Sequence, residues 1–135
     1  MKHRIDVTTW AYAATIIIIY LIALGNCNAQ DFITTDNFDD KIAKDIIAIE
    51  FWAGWNSANE FAELETLKQC EKYRVDIGVN SKLQTDFSVV SVPTVIIFDN
   101  GVEKERFAAN IMFQLEADKK TIQNSIDTIK LNKFQ

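Results

Sequence analysis

IIAIEFWAGWNSAN, residues 46–59, is the stretch on which the fold of this 135-residue chain turns. Its first seven residues, Ile46 to Trp52, are β-branched, aromatic or small, with a single charge at Glu50. Such a run marks a strand buried on both faces. Gly54 and Asn56 then break the apolar run. Ser57 and Glu60 stand three apart, the pattern in which two side chains satisfy the free amides at a helix start. Phe61, Leu64 and Leu67 continue at helical spacing. The expectation is a buried strand that runs into a helix, with Trp55 to Asn59 at the junction.

Downstream, Tyr73 to Val79 (YRVDIGV) alternates with period two, as a strand does. Ser81 to Phe87 reads as a short helix, and Val89 to Val92 leads to the single proline, Pro93. Thr94 to Phe98 (TVIIF) is a second buried strand. Asp99-Asn100-Gly101 is a hairpin turn, and Val102 to Phe107 is the return strand, its alternating charges a solvated edge that discourages aggregation. Leu115 to Leu131 is a helix with Ile122, Ile126 and Ile129 on one face. Upstream, Asp36 or Asn37 caps a short helix over Lys41 to Lys44. Strand–helix–strand gives a parallel pair by a right-handed crossover, and the hairpin adds antiparallel strands. The fold class is α/β: a three-layer sandwich with a mixed central sheet and helices on both faces.

Residues 1–30 read as an address rather than fold. Lys2, His3 and Arg4 form a positive head, Thr8 to Leu24 is uncharged, and GNCNAQ supplies a small-residue exit. That is the form of a secretory signal peptide, with residues 31–135 as the exported domain. Two other readings stay open: an uncleaved membrane anchor, since about 17 apolar residues approach a bilayer's thickness, and a lipoprotein signal acylated at Cys27. Each implies a periplasmic or extracellular domain that meets a membrane only through this segment.

Composition then removes whole classes of function. The chain is acidic, with 14 Lys and Arg against 19 Asp and Glu, and it has no basic stripe. Nucleic-acid binding, which rests on neutralised phosphates, is not expected. Residues 31–135 hold twelve basic and eighteen acidic residues, a formal charge of −6, with one cysteine, Cys70, and no histidine. Triad catalysis, a Cys/His zinc site and an intramolecular disulfide all lack their residues in that domain. No cofactor and no metal site is expected.

With these pieces in place, the chain resembles the thioredoxins. IIAIEFWAGW resembles their central strand and active-site approach, SVPT their cis-proline loop, and VIIFDNG their next strand and hairpin. The resemblance covers about residues 32–131. It implies the thioredoxin fold, makes Trp52 and Trp55 the tryptophans flanking the site, and makes Pro93 the cis-proline facing it. It sets Glu50 in the place of the family's buried acid and Arg74 in that of the neighbouring lysine, so the two should form a buried ion pair. It also implies that Val92, with Trp55 and Val90 as apolar neighbours, offers its backbone to an extended peptide. The departure matters more. Where the family has Trp-Cys-Gly-Pro-Cys, this chain reads Trp55-Asn56-Ser57-Ala58-Asn59, and the segment from Asn59 to Tyr73 is shorter, truncating the second helix. A thiol at a helix N-terminus is acidified and attacks disulfides; an asparagine caps but cannot attack.

The expected function is therefore an exported, redox-inactive thioredoxin-like domain that binds protein or extended peptide, as an adaptor. Two alternatives stand beside it. One is a thiol-disulfide exchanger using Cys70 alone, against which Cys70 reads as a small buried hydrophobe. The other is a structural subunit of an envelope assembly.

Overall fold

The computed structural model describes residues 32–135; the expected address segment 1–30, with Cys27, lies outside them. The elements are α1 (Phe38–Ile42), β1 (Ile46–Trp52), β2 (Glu71–Asp76), α2 (Ser81–Asp86), β3 (Thr94–Asp99), β4 (Val102–Ala108) and α3 (Lys119–Asn132). Two 3-10 turns, Gly54–Asn59 and Leu64–Thr66, lie between β1 and β2.

The strands form one mixed sheet in the order β2-β1-β3-β4. β1 and β2 are parallel, β3 is antiparallel to β1, and β4 returns antiparallel to β3. Asn100 and Gly101 take φ of 49° and 81°, which suits a two-residue turn that sets Asp99 opposite Val102. β1 is central because it is apolar on both faces. Ile47, Ile49 and Phe51 pack with Phe38, Ile42, Leu83 and Phe98. Ile46 and Ala48, on the other face, pack with Phe61, Leu64, Leu67, Ile122 and Ile126. Helices α1 and α2 thus cover one face, and α3 with the 3-10 turns covers the other. This is the expected three-layer α/β architecture.

Boundaries shift by two or more residues in three elements. The first helix begins at Phe38 instead of Lys41, because Phe38 and Ile42 are the residues it buries. β2 spans Glu71–Asp76 rather than 73–79, since Asp76 leads into a turn in which Gly78 N–H bonds its carboxylate at 2.8 Å. α3 starts at Lys119, capped by Asp118, whose Oδ1 accepts from Thr121 N–H at 2.8 Å.

The helix expected from Ser57 is absent as an α-helix. Gly54–Asn59 is a 3-10 segment, Glu60 turns extended at φ −58°, ψ 151°, and Leu64–Thr66 is a second short turn. Phe61, Leu64 and Leu67 are buried as their spacing requires, but on separate turns. Glu60 does not complete a capping box. Its carboxylate goes to Arg74 instead, and the Phe61 amide goes to Glu50.

Candidate functional site

Three segments meet at one end of the sheet. Residues 53–59 leave the C-terminal end of β1, Val92-Pro93 enters β3, and residues 109–115 leave β4. Register forces this meeting: Phe51 of β1 faces Thr94, and Thr94 faces Ala108 of β4. The Val92–Pro93 peptide bond is cis.

Asn56 stands at the centre, 8% exposed. Its Nδ2 donates to the carbonyl of Val92 at 2.9 Å and to that of Phe113 at 3.0 Å. Its Oδ1 accepts from Asn59 Nδ2 at 2.8 Å. Two carbonyl partners fix the amide's orientation, because neither can donate. The two asparagines are thus bonded to each other, and Asn56 ties the proline loop to the 109–115 loop. The Val92 backbone is the one the resemblance offers to an extended peptide; its carbonyl accepts the Asn56 amide, and the Val92 side chain is buried.

The 109–115 loop is a second feature, one that sequence reasoning missed. Asn110 organises it: its Oδ1 accepts from Met112 N–H at 2.8 Å and Gln114 N–H at 3.1 Å, and its N–H bonds the Gln114 carbonyl at 2.9 Å. Ala109 and Leu115 form a bridge across its base. Phe113, with φ of 56°, is turned so that its ring meets Trp55 edge-on at 5.3 Å. The available sign was Ile111-Met112-Phe113, three large apolar residues between Asn110 and Gln114 with no strand or helix to bury them.

Around Asn56 the surface is apolar and open. Trp55 is 67% exposed and Val90 90% exposed, and Ile111, Met112 and Phe113 of the 109–115 loop are exposed too, Phe113 in contact with Trp55. Trp55, Val90, Val92 and Phe113, with Ile77, Gln84 and Ser91, line a small hollow of about 50 Å³. On the other side of Phe113-Gln114 lies an open cleft of about 380 Å³, lined by residues 59–61, 63, 114, 115 and 117–119.

Behind the site, Glu50 and Arg74 face each other in register across β1 and β2. Glu50 Oε2 lies 2.6 Å from Arg74 Nη2 and 2.8 Å from its Nε, both residues buried. Glu50 Oε1 accepts from the Phe61 amide at 2.7 Å. Glu60 adds a second carboxylate, its Oε2 at 3.2 Å from Arg74 Nη1. Burial pushes the Glu50 carboxyl above its ordinary range, although the Phe61 amide and the Arg74 guanidinium pull it back. Trp52, at the end of β1, stacks edge-on against Phe32 at 6.0 Å and lies under the Arg74 guanidinium at 5.7 Å.

Cys70 is not brought to this site. It precedes Glu71, which pairs with Ile47 near the start of β1, whereas Asn56 follows the strand's far end. Five residues of strand, about 16 Å, separate the two ends. Cys70 is half-buried and packs against Leu67-side core residues of the α3 face. Burial pushes its thiol up to about 11, so it stays protonated at neutral pH. Among the described residues no group of three or more His, Cys, Asp or Glu could hold a metal ion. No helix among them is long and apolar enough to cross a membrane.

Comparison with known proteins agrees with this geometry. The profile of the Thioredoxin family matches residues 30–128. The thioredoxin of Chlamydia muridarum is 32% identical over 80 residues, which is 55% of this chain and 78% of that protein. That of Mycoplasma genitalium is 27% identical over 70 residues, 47% of this chain and 69% of that protein. Among solved structures, a point variant of thioredoxin from Halobacterium salinarum NRC-1 superposes with a TM-score of 0.60 at 20% identity, covering 73% of this chain and 88% of its own. A thioredoxin mutant from Entamoeba histolytica gives 0.58 at 22% identity, covering 74% and 99%. Strand order, register, the cis-proline loop and a match over most of the chain converge on one conclusion: this chain belongs to the thioredoxin family.

Proposed function

We propose that this chain is an exported, protein-binding member of the thioredoxin family that takes extended polypeptide at the Trp55–Pro93 surface without exchanging disulfides. The observation that carries the reading is the exposed apolar surface of Trp55, Val90 and Phe113 around Asn56, whose amide is committed to internal hydrogen bonds. An exposed apolar patch of this kind on a folded domain marks a contact surface. Disulfide exchange needs a thiolate, and residues 53–59 contain no sulfur. Since Asn56 already holds the Val92 carbonyl, recognition rests on side chains more than on strand addition at that residue. Residues 1–30 serve, in this reading, as the export address.

The test uses an unfolded polypeptide whose own cysteines are alkylated, so that binding and exchange are separated. The full-length chain should bind it, and Trp55→Ala should weaken binding about tenfold or more, as loss of a central aromatic anchor does. Insulin disulfides with dithiothreitol should be reduced no faster with the protein than without it. Accelerated reduction that persists in Cys70→Ser would overturn the proposal, as would binding indifferent to Trp55→Ala.

A further inference from the structure

Two hollows differ in chemistry, and consecutive residues of the 109–115 loop stand between them, Phe113 lining one and Gln114 the other. Phe113-Gln114 is held down by the bond from Asn56 Nδ2 to the Phe113 carbonyl. On one side is the apolar hollow under Trp55, Val90 and Phe113. On the other is the cleft, whose charged lining is Glu60, Glu63, Asp118 and Lys119. Three carboxylates face one ammonium. Arg74 neutralises Glu60 less than their contact suggests, because the same guanidinium already serves the buried Glu50. One positive charge between two carboxylates leaves a negative charge over, and Glu63 and Asp118 add theirs.

We propose that the polypeptide taken by this site places an apolar side chain against Trp55 and Phe113 and a lysine or arginine side chain in the cleft beyond Phe113-Gln114. This rests on the peptide-binding reading above and specifies the class of peptide. An extended chain suits the arrangement, since alternate residues point the same way about 6.5 Å apart and can set side chains on either side of the two residues Phe113-Gln114. The apolar hollow supplies contact area and the cleft supplies charge complementarity, which fixes direction and rejects acidic sequences. An anionic membrane, the other apolar surface such a patch could meet, is disfavoured by the same carboxylates.

The experiment measures binding of the full-length chain to labelled extended peptides with one Trp or Leu and, two or four residues away, Lys, Gln or Glu. The Lys peptide should bind about threefold or more tighter than its Gln counterpart at low salt, the scale of accessible ion pairs, with Glu weakest. The order should collapse near 1 M salt. Glu63→Lys should cancel the Lys preference while keeping Trp55-dependent binding; Glu63 is exposed and outside the Arg74 pair. Equal affinity for Lys, Gln and Glu peptides, all lost in Trp55→Ala, would overturn this inference and leave the peptide-binding reading standing. No Trp55-dependent binding of any peptide would overturn both, and so would a preference for anionic vesicles over every peptide.

Discussion

Asn56 occupies a position where a small polar residue could merely be tolerated, yet its amide does what neither a thiol nor a hydroxyl can: it donates to two carbonyls on separate loops. Asn56→Asp is the sharp test, because the carboxylate has nearly the same shape and no donor. It would set a buried negative charge against two carbonyl oxygens, at an expected cost of about 2–4 kcal/mol. Chemical denaturation at pH 7 measures this. The loss should shrink toward pH 4, where a protonated acid regains one donor. A cost below about 0.5 kcal/mol, the size of an ordinary surface change, would mean the two bonds are not formed in solution. Cys70 makes the opposite case, a residue whose chemistry is suppressed by its surroundings. With its thiol pushed up to about 11, native labelling by iodoacetamide at pH 7.5 should run on the order of a hundredfold slower than for a free thiol of ordinary acidity. Labelling at the free-thiol rate would return Cys70 to the list of reactive groups.

At the scale of elements, Glu50 and Arg74 fasten β2 to β1, while Glu60 ties the crossover to Arg74 of β2 and the Phe61 amide ties it to Glu50 of β1. Arg74→Ala should cost about 3–5 kcal/mol, because it strands a buried carboxylate, whereas Glu50→Gln combined with Arg74→Met should recover much of that. Equal and small losses for the single variants would show a pair dominated by solvent. The pH dependence has a definite sign. Burial raises the Glu50 carboxyl from its ordinary 4.5, so above that value the folded chain holds its proton longer than the unfolded one. Stability from this group therefore falls as pH rises through the window between the two values, and Glu50→Gln should flatten that slope. Asp45 and Asp118, both lowered from 3.8, act below that window and in the other direction, losing their contribution as pH falls. The ion pair was legible only through the resemblance to the thioredoxins, which sets Glu50 in the place of their buried acid and Arg74 in that of the neighbouring lysine; IIAIEFW is apolar on both faces and does not by itself set a register with YRVDIGV. The crossover was not. Ser57-Ala58-Asn59-Glu60 satisfies a local helix-start rule, but Glu60 and the Phe61 amide have tertiary partners in Arg74 and Glu50, and those partners win over the cap. The 109–115 loop was illegible for a related reason: Asn110 shapes it through bonds to residues two and four further on, a pattern without helical or strand period.

For the molecule as a whole, the question is whether sulfur at positions 56 and 59 would be enough to give this scaffold an activated thiol. The fold argues that it would not. Acidification of a thiol at such a position depends on a helix starting there, whose free amides and dipole favour the thiolate. Here residues Gly54–Asn59 form 3-10 turns broken by a kink at Asn56 (φ −114°, ψ 26°), and the chain then extends at Glu60. The dipole of one short turn is small, Glu60 and the Glu50 carboxylate lie nearby, and Phe113 crowds the position from the next loop. Asn56→Cys with Asn59→Cys should therefore give two thiols that can be joined by oxidation, since the present side chains already touch at 2.8 Å. The thiol introduced at 56 should nevertheless titrate near the ordinary value of about 8.5 instead of within the activated range of roughly 3.5–7.5. Its pKa can be read from the pH dependence of thiolate absorbance at 240 nm, with insulin reduction as the functional readout. Slow reduction with an unshifted thiol would show that the crossover's architecture, as much as the side chains at 56 and 59, fails to activate a thiol there. A thiol acidified below about 7 with rapid turnover would show that the scaffold supplies an activating environment at position 56.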